Sequence, residues 1–103
     1  MATFTIYRGD TSPALRFALS PATVDLTGAA VVFNMRGRIA RAPAAIVTPS
    51  PPVVEYAWAA GDTDLLGLYP AEFEVTFPDG AVETYRNCDD GGDLVVNIIA
   101  DLG

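Results

Sequence analysis

Between Gly67 and Gly80 the chain reads GLYPAEFEVTFPDG. Tyr69, Ala71, Phe73, Val75 and Phe77 fall on one side of a strand, and Pro70, Glu72, Glu74 and Thr76 fall on the other. A strict period of two is incompatible with a helix and defines a strand with one apolar and one wet face. The stretch closes in a Pro-Asp-Gly turn, which reverses the chain without a long loop. Whatever else folds here must supply a cover for its apolar face.

The same period recurs along the chain. TFTIYR (3–8) sets Phe4 and Ile6 opposite Thr5 and Tyr7, and ALRFAL (14–19) groups Leu15, Phe17 and Leu19. DLTGA (25–29) is a turn, and AVVFNMR (30–36) then aligns Val31, Phe33 and Met35. AAIVT (44–48) is a weaker strand bounded by Pro43 and Pro49, and VVEYAWA (53–59) groups Val54, Tyr56 and Trp58. AVETYR (81–86) and LVVNIIA (94–100) complete the set. Short strands at 8–12-residue spacing, with turn residues between them, predict an all-β antiparallel sandwich of about seven to eight strands. The 103 residues suffice for one domain over 1–103 and for a core that needs no disulfide or metal. The prolines lie mostly between strands, with Pro70 the exception, and PSPP (49–52) reads as a stiff connection.

Composition narrows the chemistry. The chain has 13 acidic residues against six arginines, with no lysine and no histidine, for a net charge of −7. That balance repels phosphates and argues against nucleic acid as a partner. No apolar run approaches a membrane span, and the N-terminal MATFTIYRGD lacks the pattern of a signal peptide. The usual general base, amine nucleophile and imidazole ligand are missing, and Ser12, Ser20 and Ser50 sit beside proline without a visible activator. The expectation is a protein that is not an enzyme, has no cofactor and takes no small-molecule substrate.

Several short motifs have a plain reading beside a sharper one. Arg-Gly-Asp at 8–10 ends one strand and opens a turn. The Gly-Asp-Thr echo at 9–11 and 61–63 reads as two turns in which Asp bonds the backbone two residues on. Glu72 and Glu74 stand about 7 Å apart on one strand face, a solvated pair rather than an acid–base couple. Asp89, Asp90 and Asp93 surround Gly91 and Gly92. They are the calcium candidates, with Asp62 and Asp64 as possible helpers, but the loop is read as a plain acidic turn and no metal site is expected. Cys88 has no internal disulfide partner, and its acidic neighbours disfavour the thiolate. Arg36, Arg38 and Arg41 concentrate positive charge between the third and fourth strands and are the candidate contacts for a protein partner.

Taken in order, F-x-I-x-x-G-D-T (4–11), DLTGAAVVFNMR (25–36), VEYAWAAGDTD (54–64) and GLYPAEFEVTFPDGAVETYRN (67–87) resemble one family. It is the immunoglobulin-like domain at the N-terminus of phage baseplate upper proteins and related small tail proteins. The resemblance implies an immunoglobulin-like sandwich, with Trp58 as a buried anchor and Gly67 and Tyr69 forming a tyrosine corner. The aspartate that accompanies such a corner would fall at Leu65, and Asp64 stands one position off. It further implies a structural part of a bacteriophage virion, in the tail or baseplate, made in the bacterial host cytoplasm and docked in many copies on other virion proteins. The chain stops at Gly103, short of the assembly regions of the larger relatives, and is expected to be a stand-alone version. Capsid-surface decoration, or a soluble carbohydrate- or calcium-binding module, are the alternatives.

Overall fold

The computed structural model describes residues 2–86 and 94–100. Among them there are eight strands and no helix: β1 (Ala2–Tyr7), β2 (Leu15–Ala18), β3 (Ala30–Met35), β4 (Ile39–Thr48), β5 (Val53–Tyr56), β6 (Gly67–Thr76), β7 (Val82–Tyr85) and β8 (Leu94–Ile99). The protein is all-β. Its strands run in the order β1-β8-β6-β3-β4-β5-β2, with β7 also on β6.

The period of two becomes burial. Val31, Phe33 and Met35 on β3, Ala71, Phe73 and Val75 on β6, and Leu94, Val96 and Ile98 on β8 all point into one core. Leu15 and Phe17 on β2 and Val54 and Tyr56 on β5 meet them from the opposite side. Phe33 stacks on Tyr56 at 4.5 Å between ring centroids, and Phe17 on Phe73 at 5.8 Å. These two contacts bring the β2–β5 half of the sheet face to face with the β3–β6 half, in a sandwich that approaches a barrel.

One strand joins the halves. The first part of β4 pairs with β3, from Ile39↔Met35 to Ala44↔Val31, and its last part pairs with β5, from Ala45↔Glu55 to Thr48↔Val53. The sequence pattern places the start of this strand at 44, bounded by Pro43. The strand instead runs through Pro43, which sits opposite Val32. Proline is tolerated there because this part of β4 is bonded on one edge only, so its missing N–H deprives no neighbour. Pro70 follows similar logic. Its carbonyl accepts the Arg36 N–H at 3.0 Å, one step beyond the last β3–β6 pair, Met35↔Ala71. The missing Pro70 N–H forgoes only the reciprocal bond to Arg36, at the very end of this ladder, where the loss is small.

The antiparallel expectation fails at one place. β1 and β8 are parallel, from Ala2↔Leu94 to Tyr7↔Ile99, so the sheet is mixed. Alternation fixes which face a strand presents but not its direction, which is why the pattern in 3–8 could not reveal it. A second departure concerns β7 and β8, which lie end to end along the same edge of β6. From Phe73↔Tyr85 the register runs toward Glu72 and Arg86, and from Pro70↔Val95 it runs toward Ala71 and Leu94. Arg86 and Leu94 are therefore successive positions of one strand line, and the Leu94 N–H donates to the Arg86 carbonyl at 2.7 Å.

The turns follow their residues. Asp25 accepts the Thr27 N–H at 2.9 Å and the Thr27 hydroxyl at 2.7 Å, forming the turn of DLTGA. These bonds hold the Asp25 carboxyl below its ordinary range, the hydroxyl bond more than the backbone one. Gly28 lies at φ 77°, and a Cβ on it would stand 3.0 Å from Pro78 Cγ. Gly67 has φ 146°, and a Cβ there would meet the Tyr69 ring at 3.3 Å. That clearance lets the Tyr69 phenol donate back to the Leu65 and Leu66 carbonyls at 3.0 and 3.1 Å.

Trp58 lies two residues past the end of β5 and is only 5% exposed. Its ring meets Phe33 and Tyr56 edge to face, and its Nε1–H donates to the Pro13 carbonyl at 3.1 Å. Trp58→Ala is expected to destabilise the fold by about 3–5 kcal/mol through lost packing and an unpaired carbonyl. A denaturant titration that finds the variant within about 1 kcal/mol of the parent would place the ring outside the core.

Candidate protein-contact surfaces

The three arginines do not form one patch. Arg36 stands exposed in the turn after β3. Arg38, half buried, donates from NH2 to the Gly61 carbonyl at 3.1 Å, and its Nε is enclosed without a partner among the described residues. Arg41 lies on β4 rather than in the loop, at φ 53°, and pairs with Glu74 Oε1 at 2.7 Å. Its N–H donates to Asn34 Oδ1 at 2.7 Å, where the β3–β4 register slips by a bulge. Two of the three guanidinium groups are thus committed within the fold, and among the described residues only that of Arg36 is presented outward without an internal bond.

The carboxylates are divided in the same way. Glu74 belongs to Arg41, while Glu72 accepts from Asn34 Nδ2 at 3.4 Å. Asp62 accepts the Tyr56 hydroxyl at 2.6 Å and the Ala59 N–H at 2.8 Å. It therefore caps the chain three residues back rather than two residues on. Asp89, Asp90, Asp93 and Cys88 lie outside the described residues. Among the described residues no cluster of three or more potential metal ligands forms, and no helix is long and apolar enough to cross a membrane.

The two Gly-Asp-Thr turns meet. Thr63 is 1% exposed, and its hydroxyl donates to the Asp10 carbonyl at 2.8 Å. The Gly9 N–H reaches both the Thr63 carbonyl and its Oγ1 at 3.1 Å. The sequence shows the echo but not the contact, because the two copies are separated by half the chain. The Arg-Gly-Asp run consequently has its central residue pinned to another turn, while Asp10 N–H closes on the Tyr7 carbonyl at 3.0 Å.

Two surface regions stand out among the described residues. A cavity of about 400 Å3 is lined by Asn34, Arg36, Pro70, Glu72, Arg86 and Leu94, at the point where β7 gives way to β8. Arg36, Arg86 and Glu72 all contribute to its lining, so the cavity carries charge of both signs. The other region is assembled from three separate stretches of sequence: the outer face of β1, β8 and β6. Leu68 is 68% exposed, and Tyr7 and Leu66 are each 48% exposed. The alternation in 67–77 suggests a wet outer face, and it is charged only from Glu72 onward.

Two phenols titrate late. Burial, and then the bond to the Asp62 carboxylate, push Tyr56 far above its usual range. Burial and the bond to Glu83 push Tyr85 up to about 12. The unfolded chain releases these protons near pH 10. The stabilising contribution of both phenols is therefore complete below about pH 10 and is lost as pH rises toward and past 12. Alkaline unfolding is expected to begin above about pH 10 and to be less steep in Tyr56→Phe, measured by melting temperature against pH. Thr63→Val, close in shape, is expected to cost about 1–3 kcal/mol by leaving the Asp10 carbonyl without its hydroxyl donor. An unchanged stability would mean that water reaches that carbonyl.

Comparison of the chain with protein-family models, with curated proteins and with solved structures finds no match in any of the three.

Proposed function

We propose that this protein is a structural component of a bacteriophage virion, an immunoglobulin-like piece of the tail or baseplate that acts through protein–protein contacts. The observation that carries the reading is the set of strand neighbours. β2 lies beside β5, and β3, β6 and β8 lie in line. These neighbours match the B–E and C–F–G partners of an immunoglobulin sandwich, once β7 and β8 are taken as one interrupted last strand. The Tyr69 phenol adds support, because it ties back to Leu65, four residues upstream, as a tyrosine corner does. Both features lie in stretches that carry the resemblance to the small phage tail proteins.

The surface fits a part that docks. Asp62, Thr63, Arg38, Arg41 and Glu74 are engaged in holding turns and strands together. Among the described residues, a mixed polar cavity and a neutral sheet face are open to the outside, both suited to contact with another protein chain. Many copies on a symmetric particle would sum weak contacts into firm attachment. A carbohydrate module would present aromatic rings as a platform, whereas Trp58 and Tyr56 are buried, which counts against that alternative.

Mass spectrometry of purified particles from the producing host, followed by localisation in a density map, tests the proposal. The protein is expected in the particle at a copy number set by the tail or baseplate symmetry. Density on the capsid surface would favour the decoration alternative. Absence from purified particles would overturn the virion reading altogether.

A further inference from the structure

Every sheet that does not close leaves edges, and soluble proteins usually guard them with proline, charge or brevity. In this sheet the strand order ends at β2 and at β1. β2 has four residues, contains Arg16 paired with Glu55 at 3.6 Å, and is bracketed by Pro13 and Pro21. The singly bonded part of β4 carries Arg41 and Pro43, and β7 carries Glu83. β1 is different. Its six residues, Ala-Thr-Phe-Thr-Ile-Tyr, include no charge and no proline.

The free edge of β1 can be assigned residue by residue. The Arg8 N–H donates to the Ile99 carbonyl at 2.8 Å, so Arg8 turns its backbone toward β8. Successive residues of a strand alternate between its two edges. Ile6 and Phe4 therefore also bond toward β8, while Thr3, Thr5 and Tyr7 direct their N–H and C=O groups away from the sheet. Apart from the Tyr7 carbonyl, which receives Asp10, these groups have no backbone partner among the described residues.

The adjoining face is neutral as well as open. Reading across the register gives Thr3, Val95 and Pro70 in one row, then Thr5, Asn97 and Leu68, then Tyr7 and Ile99 with Leu66 at the margin. No charged side chain occurs in these rows, although the chain has 13 acidic residues in all. Two copies of a −7 protein can approach without opposing carboxylates on this surface.

We infer that β1 pairs with β1 of a second copy of this chain, antiparallel across a two-fold axis at Thr5, continuing the sheet from one protomer into the next. The axis at Thr5 gives the longest overlap of 3–7 with itself and sets Thr3 opposite the partner's Tyr7. It places outward-directed backbone groups opposite one another, as an antiparallel ladder requires. Thr–Thr pairs on the axis, and Tyr beside Thr on either side of it, are favourable cross-strand neighbours. The inference does not depend on the virion reading, since it concerns the isolated chain.

The pairing has a distinctive salt response. Backbone bonds between neutral strands are insensitive to ionic strength, whereas the mutual repulsion of two acidic protomers is screened as salt rises. Association should strengthen from low to physiological salt. Docking through Arg36 and a partner carboxylate would weaken over the same range.

Analytical ultracentrifugation of the full chain across concentration and salt, with amide exchange as a site-specific readout, tests the inference. The parent is expected to form a reversible dimer that tightens with salt, with the Thr3, Thr5 and Tyr7 amides slowing as concentration rises. Thr5→Pro removes an outward N–H that the protomer itself does not use. Thr5→Lys places two ammonium groups face to face on the axis and provides a second variant should the first perturb the strand. Each is expected to weaken dimerisation by about tenfold or more while the circular dichroism spectrum is retained, whereas Arg36→Ser leaves it unchanged. A parent that stays monomeric at every concentration and salt, a dimer that loosens with salt, or a dimer unaffected by both Thr5 variants would each overturn it.

Discussion

The stack of Phe33 on Tyr56 is the contact on which the fold turns. Phe33 is a central residue of β3 and Tyr56 ends β5, and their ring centroids are 4.5 Å apart. Phe73 and Trp58 close on the same ring of Phe33, at 5.0 and 5.9 Å. Four aromatic side chains from three strands and one loop thus share one volume. Large rings contribute heavily to burial for little lost rotamer freedom, which suits a small domain without disulfides among its described residues. The strand that crosses between halves, β4, can be thin and partly exposed because this cluster already fixes their separation.

The polar bonds organise around that cluster rather than compete with it. Tyr56 belongs to the stack through its ring and to the 59–62 turn through its hydroxyl, which Asp62 accepts. Thr63 follows immediately and carries the tie to Gly9 and Asp10 at the exit of β1. Trp58 reaches across to Pro13, just before β2. One short segment, 56–63, therefore connects the core to the ends of two other strands. Polar residues buried this way are stabilising only when each finds its partner, and here Tyr56, Trp58 and Thr63 all do.

Much of this was legible in the sequence, and the reasons for the rest are physical. Period two identified all eight strands, because alternation is imposed locally by the pleat and needs no knowledge of the partner. DLTGA, the Pro-Asp-Gly turn and the Gly67–Tyr69 pairing were legible for the same local reason. Strand direction was not, since parallel and antiparallel strands show the same alternation to a reader of 3–8. Pro43 misled because proline reads as a boundary unless the strand is known to be bonded on one edge. The grouping of Arg36, Arg38 and Arg41 misled for a related reason. Neighbours in sequence diverge when a bulge intervenes, and Glu74 and Gly61 lie on segments far along the chain. The neutral outer face escaped notice because it is assembled across β1, β8 and β6, and no single stretch displays it.

The junction between β7 and β8 has a topological consequence. Arg86 and Leu94 hold successive places along β6 with a hydrogen bond between them, although seven residues separate them in the chain. The sheet has in effect a splice point, a position where the backbone can leave and return without altering the strand line on either side. To β6, then, β7 and β8 act as one neighbour, and the single bond from Leu94 to Arg86 carries the strand line across the change of strand.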